Sequence, residues 1–310
     1  MGKIYSLHDY ASMIADRQRM DAYREAISRA VMPGAIVLDL GAGPGVFALL
    51  ACMCGAAKVY AVEPNDVVHI GRQLAADNGF SDRIEFIQAR STKVALREKA
   101  DLMISDLRGT LPLHGTHLPD IIDARHRLLR DGGSMIPRLD KLWVAVWSSE
   151  KRYEQHGEPW KSALPDLKLT PLTDALLCIP RKISGDRGEF LTAPHCWSVL
   201  DYATIDNADV SGVAEWHEVR KGWGHGLCIW FDSVLAEGSH ITNSPASLSL
   251  NYGSMFFPWT KPVFIEEGNH IRVRLRAWLQ KDQYSWCWQT EIHESDYRSQ
   301  KKALFDQTHI

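Results

Sequence analysis

No apolar run in these 310 residues approaches the roughly 20 needed to span a bilayer. The N-terminus, Met1 to Ser6, lacks the basic and then apolar stretches of a secretory signal. Neither sign of charge dominates: 35 Lys and Arg face 38 Asp and Glu, for a net charge of -3. These charges are interspersed, so no polybasic anchor and no electrostatic grip on nucleic acid is expected. Neither membrane nor nucleic acid is therefore expected among the partners. Cysteine is sparse, at six residues, and only Cys52 and Cys54 are close in sequence. They fall in a predicted helix at i,i+2, which turns them to different faces. All six are read as free thiols, mostly buried, in a reducing, cytoplasmic setting. Tryptophan is missing from the first 142 residues, and all eleven lie at or after Trp143. That asymmetry predicts two architectures in one chain, with a boundary near residue 140.

Residues 8–30 read as one helix, with Tyr10, Ile14, Tyr23 and Ile27 at helical spacing among charges. Pro33 and Gly34 stop it. Strands and helices then alternate. Strands are predicted at 35–40, 58–62, 83–87, 101–105 and 134–137. The helices between them are predicted at 45–54, 66–78 and 118–129. Alternation of this kind gives right-handed crossovers and a parallel sheet covered on both faces. Beyond residue 140 short β-branched and aromatic runs are separated by turn signals, which predicts antiparallel strands of a barrel or sandwich. The fold class expected is α/β: an N-terminal helix and Rossmann-like domain over 1–138, then a mainly antiparallel β-barrel over 139–310.

The first predicted strand leads straight into Gly41, Ala42, Gly43, Pro44 and Gly45, and a helix follows. Glycines allow a sharp turn and let a ligand sit against main-chain N–H groups. A dinucleotide fingerprint requires a third glycine one residue later, where Val46 stands. Asp39, two residues before the loop, suits a cationic ligand and offers nothing to a pyrophosphate. Glu63, at the tip of the second strand, is placed to accept both hydroxyls of a ribose. Together these residues point to S-adenosyl-L-methionine (SAM), an amino acid nucleoside with a positive amino acid end, as the cofactor.

Several segments go further. His8 to Tyr23, Val37 to Gly45, Val59 to Glu63, Ile104 to Gly109, Ala124 to Pro137, Gly226 to Asp232 and Phe257 to Phe264 resemble segments of the protein arginine methyltransferase family. So does the order of helix, SAM domain and Trp-rich β domain. The resemblance implies that Arg19 pairs with the SAM carboxylate and that Met13 packs near the sulfonium. It implies that Arg90, Ser91 and Thr92 lie beside the adenine, and that a dimerisation arm falls within 160–194, making a homodimer. Trp160, Leu167, Leu176, Leu177 and Ile179 are candidates for the apolar contact of that arm.

The sequence departs from the family at the acceptor. Asp106 stands at the first of two glutamate positions, and Gly115 at the second. Pro258 replaces the histidine of a Thr-His-Trp loop. A guanidinium spreads its charge over three nitrogens and keeps its proton in water. Making one nitrogen nucleophilic takes carboxylates that fix the plane and localise the charge. Asp106 is read either as the residue that positions an acceptor or takes its proton, or as a turn residue. Arg108 either binds an acceptor carboxylate or makes a structural ion pair. His114, with His117 three residues on, is either a base replacing the missing glutamate or an ordinary loop histidine, and no metal is expected. Trp259 either walls the acceptor pocket or packs in the barrel. His225, between two glycines, is read as a turn residue. The function expected is SAM-dependent methyl transfer to a nitrogen or oxygen of a peptide or small molecule. The alternatives are an arginine methyltransferase with a rearranged loop and a catalytically silent SAM-binding partner subunit.

Overall fold

The computed structural model describes residues 5–185, 188–247, 251–295, 298 and 300–309. The chain splits into two compact units. The first holds Met1–Asp140 and also takes Leu200–Ala208 and Asp232–Thr242, while the second holds the remainder. A simple division at 138/139 therefore misses two later segments that return to the first unit.

The first unit begins with two helices rather than the single one expected: α1 (Leu7–Ala15) and α2 (Arg17–Ala30). The break is local chemistry. Asp16 adopts an extended backbone (φ -71, ψ 91), and its side chain accepts from the Arg19 amide, capping α2. At the start of α1, Ser6 and Asp9 form a reciprocal capping box. Helix α2 buries Tyr23, Ala26 and Ile27, whereas α1 buries nothing.

There follow β1 (Ile36–Leu40), α3 (Val46–Met53), β2 (Lys58–Val62), α4 (Val68–Asp77), β3 (Ile84–Ile87), β4 (Ala100–Ser105), α5 (His117–Arg127) and β5 (Leu129–Ile136). The sheet order is β3-β2-β1-β4-β5, with every pairing parallel. Order reverses beside β1, so the loops after β1 and β4 diverge above the sheet and leave a crevice, the usual ligand position in such folds. Strand β5 starts five residues earlier than expected. The run Asp131, Gly132, Gly133 is an exposed stretch of this edge strand and not a turn before it.

In the second unit the chain continues as β6 (Leu139–Ser148, its first two residues in the first unit), α6 (Glu150–Gly157), α7 (Thr170–Leu176), β7 (Arg181–Ile183), β8 (Glu189–Phe190) and β9 (His195–Asp201). Then come β10 (Val210–Trp216), β11 (Gly222–Ala236, its residues from Asp232 on in the first unit), β12 (Ser239–Thr242, in the first unit), β13 (Ser254–Ile265), β14 (His270–Gln280), β15 (Gln283–His293) and β16 (Lys301–His309). One sheet is four-stranded and antiparallel, in the order β10-β14-β15-β16. The other follows the path β7-β13-β11-β6-β8. Tryptophans fill this unit: Trp147, Trp259 and Trp288 are among its largest fully buried side chains. The β14–β15 hairpin turns on Lys281 and Asp282, both at positive φ (48° and 67°), as a two-residue primed turn requires. His225 lies within β11, at an irregularity in its pairing with β13, and not in a turn.

All six cysteines are free thiols, as expected, but only Cys52 and Cys228 are buried. No helix among the described residues is long and apolar enough to cross a membrane.

Candidate active site

The glycine loop at the end of β1 is held open by its own backbone. Gly41, Gly43 and Gly45 all sit at positive φ (73°, 54° and 78°). A methyl on Gly43 would come within 2.7 Å of the Tyr10 ring, so here the loop surface has no room for a side chain. The Gly41 and Ala42 amides both donate to the Val62 carbonyl, tying the loop to the end of β2.

Two carboxylates flank this cradle, both buried. Glu63 accepts from the Gly43 amide at 3.0 Å and from the Asn65 amide and side chain at 2.9 and 2.6 Å. Asp39 accepts from the Ala48 amide, in the first turn of α3, at 3.0 Å. Burial raises the Asp39 carboxyl to about 7, against the lowering effect of that hydrogen bond. Two acids at a loop of left-handed glycines suit a ligand that is cationic at one end and carries a diol.

Arg19 is buried, 7% exposed, and stacks near the rings of Tyr23 and Phe47. Its Nη1 donates to the Met13 carbonyl at 3.1 Å, which ties α2 back to α1. The Met13 side chain is half-buried. The Arg19 charge is met by Asp106: Nε and Nη2 both donate to Asp106 Oδ2, at 2.9 and 2.6 Å.

Asp106, just beyond β4, is the centre of a buried chain of charges. Its Oδ1 accepts from Arg108 Nε at 3.1 Å. Arg108 in turn donates to Asp140 at 2.9 Å and to the Tyr23 hydroxyl at 2.7 Å. The Tyr202 hydroxyl donates to Asp140 at 2.5 Å and lies 3.0 Å from His117 Nε2. Burial pushes the Asp140 carboxyl upward, opposed chiefly by Arg108. Burial also lowers His117 to about 3, so its imidazole is neutral at physiological pH. Arg108 has no exposed side-chain surface. It is the structural ion pair of the two readings and cannot receive an acceptor carboxylate. Asp140 and Tyr202 were not foreseen, because nothing in the local sequence links positions 108, 140 and 202.

The remaining expected residues fall into three groups. Ser91 is buried in a short 3-10 turn, with exposed Thr92 next to it, and Arg90 reaches the Thr116 hydroxyl at 3.5 Å. His114 is exposed, and its ring covers Gly109. Trp259 has no exposed surface: it stacks on Phe305 (centroids 4.9 Å apart), and its indole donates to Thr290 at 3.2 Å. It packs in the core of the second unit and offers no wall to an acceptor.

A model of the methyltransferase domain family matches residues 37–133. A probable protein arginine N-methyltransferase 6 of Arabidopsis thaliana is 29% identical over 255 residues, covering 77% of this chain and 58% of the relative. A probable histone-arginine methyltransferase CARM1 of Oryza sativa subsp. indica is 28% identical over 281 residues, covering 85% of this chain and 53% of the relative. The chain thus spans little more than half the length of these relatives. Among solved structures, the Trypanosoma brucei PRMT1 enzyme-prozyme heterotetrameric complex with AdoHcy superposes with a TM-score of 0.87 at 20% identity, over 97% of this chain and 98% of that one. Arabidopsis thaliana protein arginine methyltransferase 10 superposes with a TM-score of 0.84 at 23% identity, over 98% and 97%.

Residues 37–133 thus match a methyltransferase domain, and the chain has the fold of the solved arginine methyltransferases.

The cofactor expected from the sequence is S-adenosyl-L-methionine. The methyltransferase has a cradle that fits this group on its own geometry, through the positive-φ glycines and the two buried acids described above.

Proposed function

We propose that this methyltransferase transfers a methyl group from SAM to a guanidinium nitrogen of a peptide or protein arginine. The observation that carries the reading is the charge balance around Asp106. In isolation, Arg108 beside Asp106 argues against a cationic acceptor, because like charges at 4 Å repel by roughly 4 kcal/mol at an effective dielectric of 20. Asp140 removes that objection by taking the Arg108 charge within the protein, at 2.9 Å.

On this reading Asp39, Gly41, Gly43, Gly45 and Glu63 hold the cofactor, with Arg90, Ser91 and Thr92 toward the adenine. Arg19 meets its carboxylate, and Met13 packs near its sulfonium. SAM supplies a methyl on a cationic sulfur that is already a good leaving group. Arg19 would hold the cofactor carboxylate, and Asp106 Oδ2, which here takes both Arg19 bonds, would accept from the guanidinium of an acceptor. Arg108 keeps Oδ1 in place and so fixes the plane of the carboxylate. Asp106 thereby orients the acceptor and draws its charge away from the reacting nitrogen. Positioning of this kind contributes ~7–11 kcal/mol toward a displacement barrier. The relatives' printed names as arginine methyltransferases support the same acceptor class.

Incubation with labelled SAM and an arginine-rich peptide, followed by acid hydrolysis, should yield labelled methylarginine. Label on another amino acid, or on a small molecule alone, would falsify the reading. Gly115, at the second carboxylate position, favours one competing reading, the silent partner subunit. Turnover that appears only when a second methyltransferase chain is added would establish that alternative.

We also place the protein in the cytoplasm, on its free thiols, and as a homodimer through the 160–194 segment. Leu164, Leu167, Leu172 and Ile179 there are 36–57% exposed. Leu177 is instead buried, and its carbonyl accepts from Gln307. Asp186 and Arg187 of that segment lie outside the described residues.

A further inference from the structure

We infer that the second unit carries a divalent transition-metal site, of zinc type, formed by Glu215, His217 and His270. Strand pairing builds it. Glu215 of β10 lies directly across from Arg272 of β14, and Trp216 across from Ile271. The next step along the ladder sets His217 across from His270. Side chains alternate between faces along a strand, so Glu215, His217, His270 and Arg272 share one face. Ile271, Val273 and Leu275 turn to the core on the other.

One ligand atom from each of Glu215, His217 and His270 can be chosen so that all lie within 4.8 Å of one another. Donors around a tetrahedral zinc with bonds of 2.0–2.2 Å stand roughly 3.3 Å apart. The remaining gap is within reach of side-chain rotation, because Glu215 and His217 are exposed. His270 is fully buried and supplies the fixed ligand; the exposed His217 ring, stacked on it with centroids 4.5 Å apart, has to turn out of the stack to bring its nitrogen to the ion.

The surroundings orient the donors. Arg272 forms an ion pair with Glu215, its Nε 2.8 Å from Oε1, while Glu215 Oε2 lies 3.9 Å from His270 Nε2. A partner that fixes the far side of a ligating group is characteristic of metal sites. Two imidazoles and one carboxylate form a ligand set for a borderline cation, with the fourth position left to water. Magnesium and calcium, which prefer all-oxygen shells, are disfavoured. The sequence conceals this site: His217 and His270 are 53 positions apart, and neither belongs to a metal motif. The ion would join the end of β10, an edge strand, to β14, and would brace the sheet where its ladder stops.

The test uses the full chain, stripped with a chelator and titrated with zinc chloride against a chromophoric competitor. One zinc per chain is expected, together with a rise in Tm. His217→Ala removes an exposed ligand and leaves the core intact, and it should weaken zinc binding at least tenfold and abolish the Tm rise. Glu215→Gln should weaken it as well. Both variants should bind SAM as the parent does, which reports that they are folded. Absence of zinc uptake by the parent, or uptake that survives His217→Ala unchanged (as thiol binding would), overturns the inference.

Discussion

Asp39 is a carboxyl that the fold keeps at a cost. Burial moves it from 3.8 to about 7, so the folded chain holds a proton that the unfolded chain releases over that interval. Below pH ~4 both states are protonated and there is no penalty. Stability then falls as pH rises to about 7, and above that the penalty is constant. At ~1.4 kcal/mol per pH unit it is on the order of 4 kcal/mol. Asp39→Asn should therefore be more stable than the parent at pH 8 without cofactor and about equal at pH 4, as measured by urea unfolding. The same proton governs ligand binding. SAM affinity of the parent should decline below pH 7, while that of Asp39→Asn should be lower at pH 8 and nearly flat between pH 6 and 8. An affinity in the variant that still tracks pH would remove Asp39 from the cofactor site. Asp106→Asn tests the acceptor side. It should lower kcat by about 100-fold, in the range for a group acting on the reacting nitrogen, while SAM affinity measured by calorimetry changes less than fivefold. An equal loss in both would mean that Asp106 serves only to hold Arg19.

Among the elements, the break between α1 and α2 matters most for the site. One capping residue, Asp16, starts α2 at Arg17 and so sets the direction of Arg19 two residues later. Asp16→Ala should cost about 1 kcal/mol of stability and reduce SAM affinity severalfold by loosening Arg19. Unchanged affinity would show that the Asp106 pairing alone positions the guanidinium. The sequence reads 8–30 as a single helix because Tyr10 and Ile14, and then Tyr23 and Ile27, are each spaced i,i+4, and no Pro or Gly stands between the two pairs to mark a break. The aspartate that interrupts it is also an ordinary solvent-facing helix residue. The parallel strands were easier to read. Lys58–Val62 was predicted to the residue, since buried central strands are short apolar runs with sharp ends. Strand β10 is harder to read from the sequence, for the opposite reason. As an edge strand it sets buried Val210, Ala214 and Trp216 against exposed Ser211, Val213 and Glu215, and Gly212 sits where a side chain would meet the Trp197 carbonyl. The cofactor acids were legible because they sit at the tips of adjacent strands. The Arg108–Asp140–Tyr202 chain was not, because tertiary folding alone brings those positions together.

For the whole molecule, oligomeric state is the open variable that surface chemistry addresses. Leu167 and Leu172 are 57% and 53% exposed on the segment proposed as the dimer arm. Leu167→Glu combined with Leu172→Glu should convert a dimer to a monomer in light scattering, with little effect on unfolding at fixed concentration. A double variant that remains dimeric would move the interface elsewhere. The division of the chain into units also bears on synthesis. Tyr202, whose hydroxyl closes the buried chain on Asp140, belongs to a segment that emerges some sixty residues later, and the last part of the first unit ends at Thr242. A ribosome working at ~5–20 residues per second thus exposes the glycine cradle well before the unit that contains it is complete. For several seconds the nascent Asp140 has Arg108 and solvent to meet its carboxylate, but not the Tyr202 hydroxyl. A fragment cut at residue 138 would lack both Asp140 and Tyr202 and leave Arg108 without its Asp140 carboxylate, so residues 1–138 are not a piece that can be excised and studied alone.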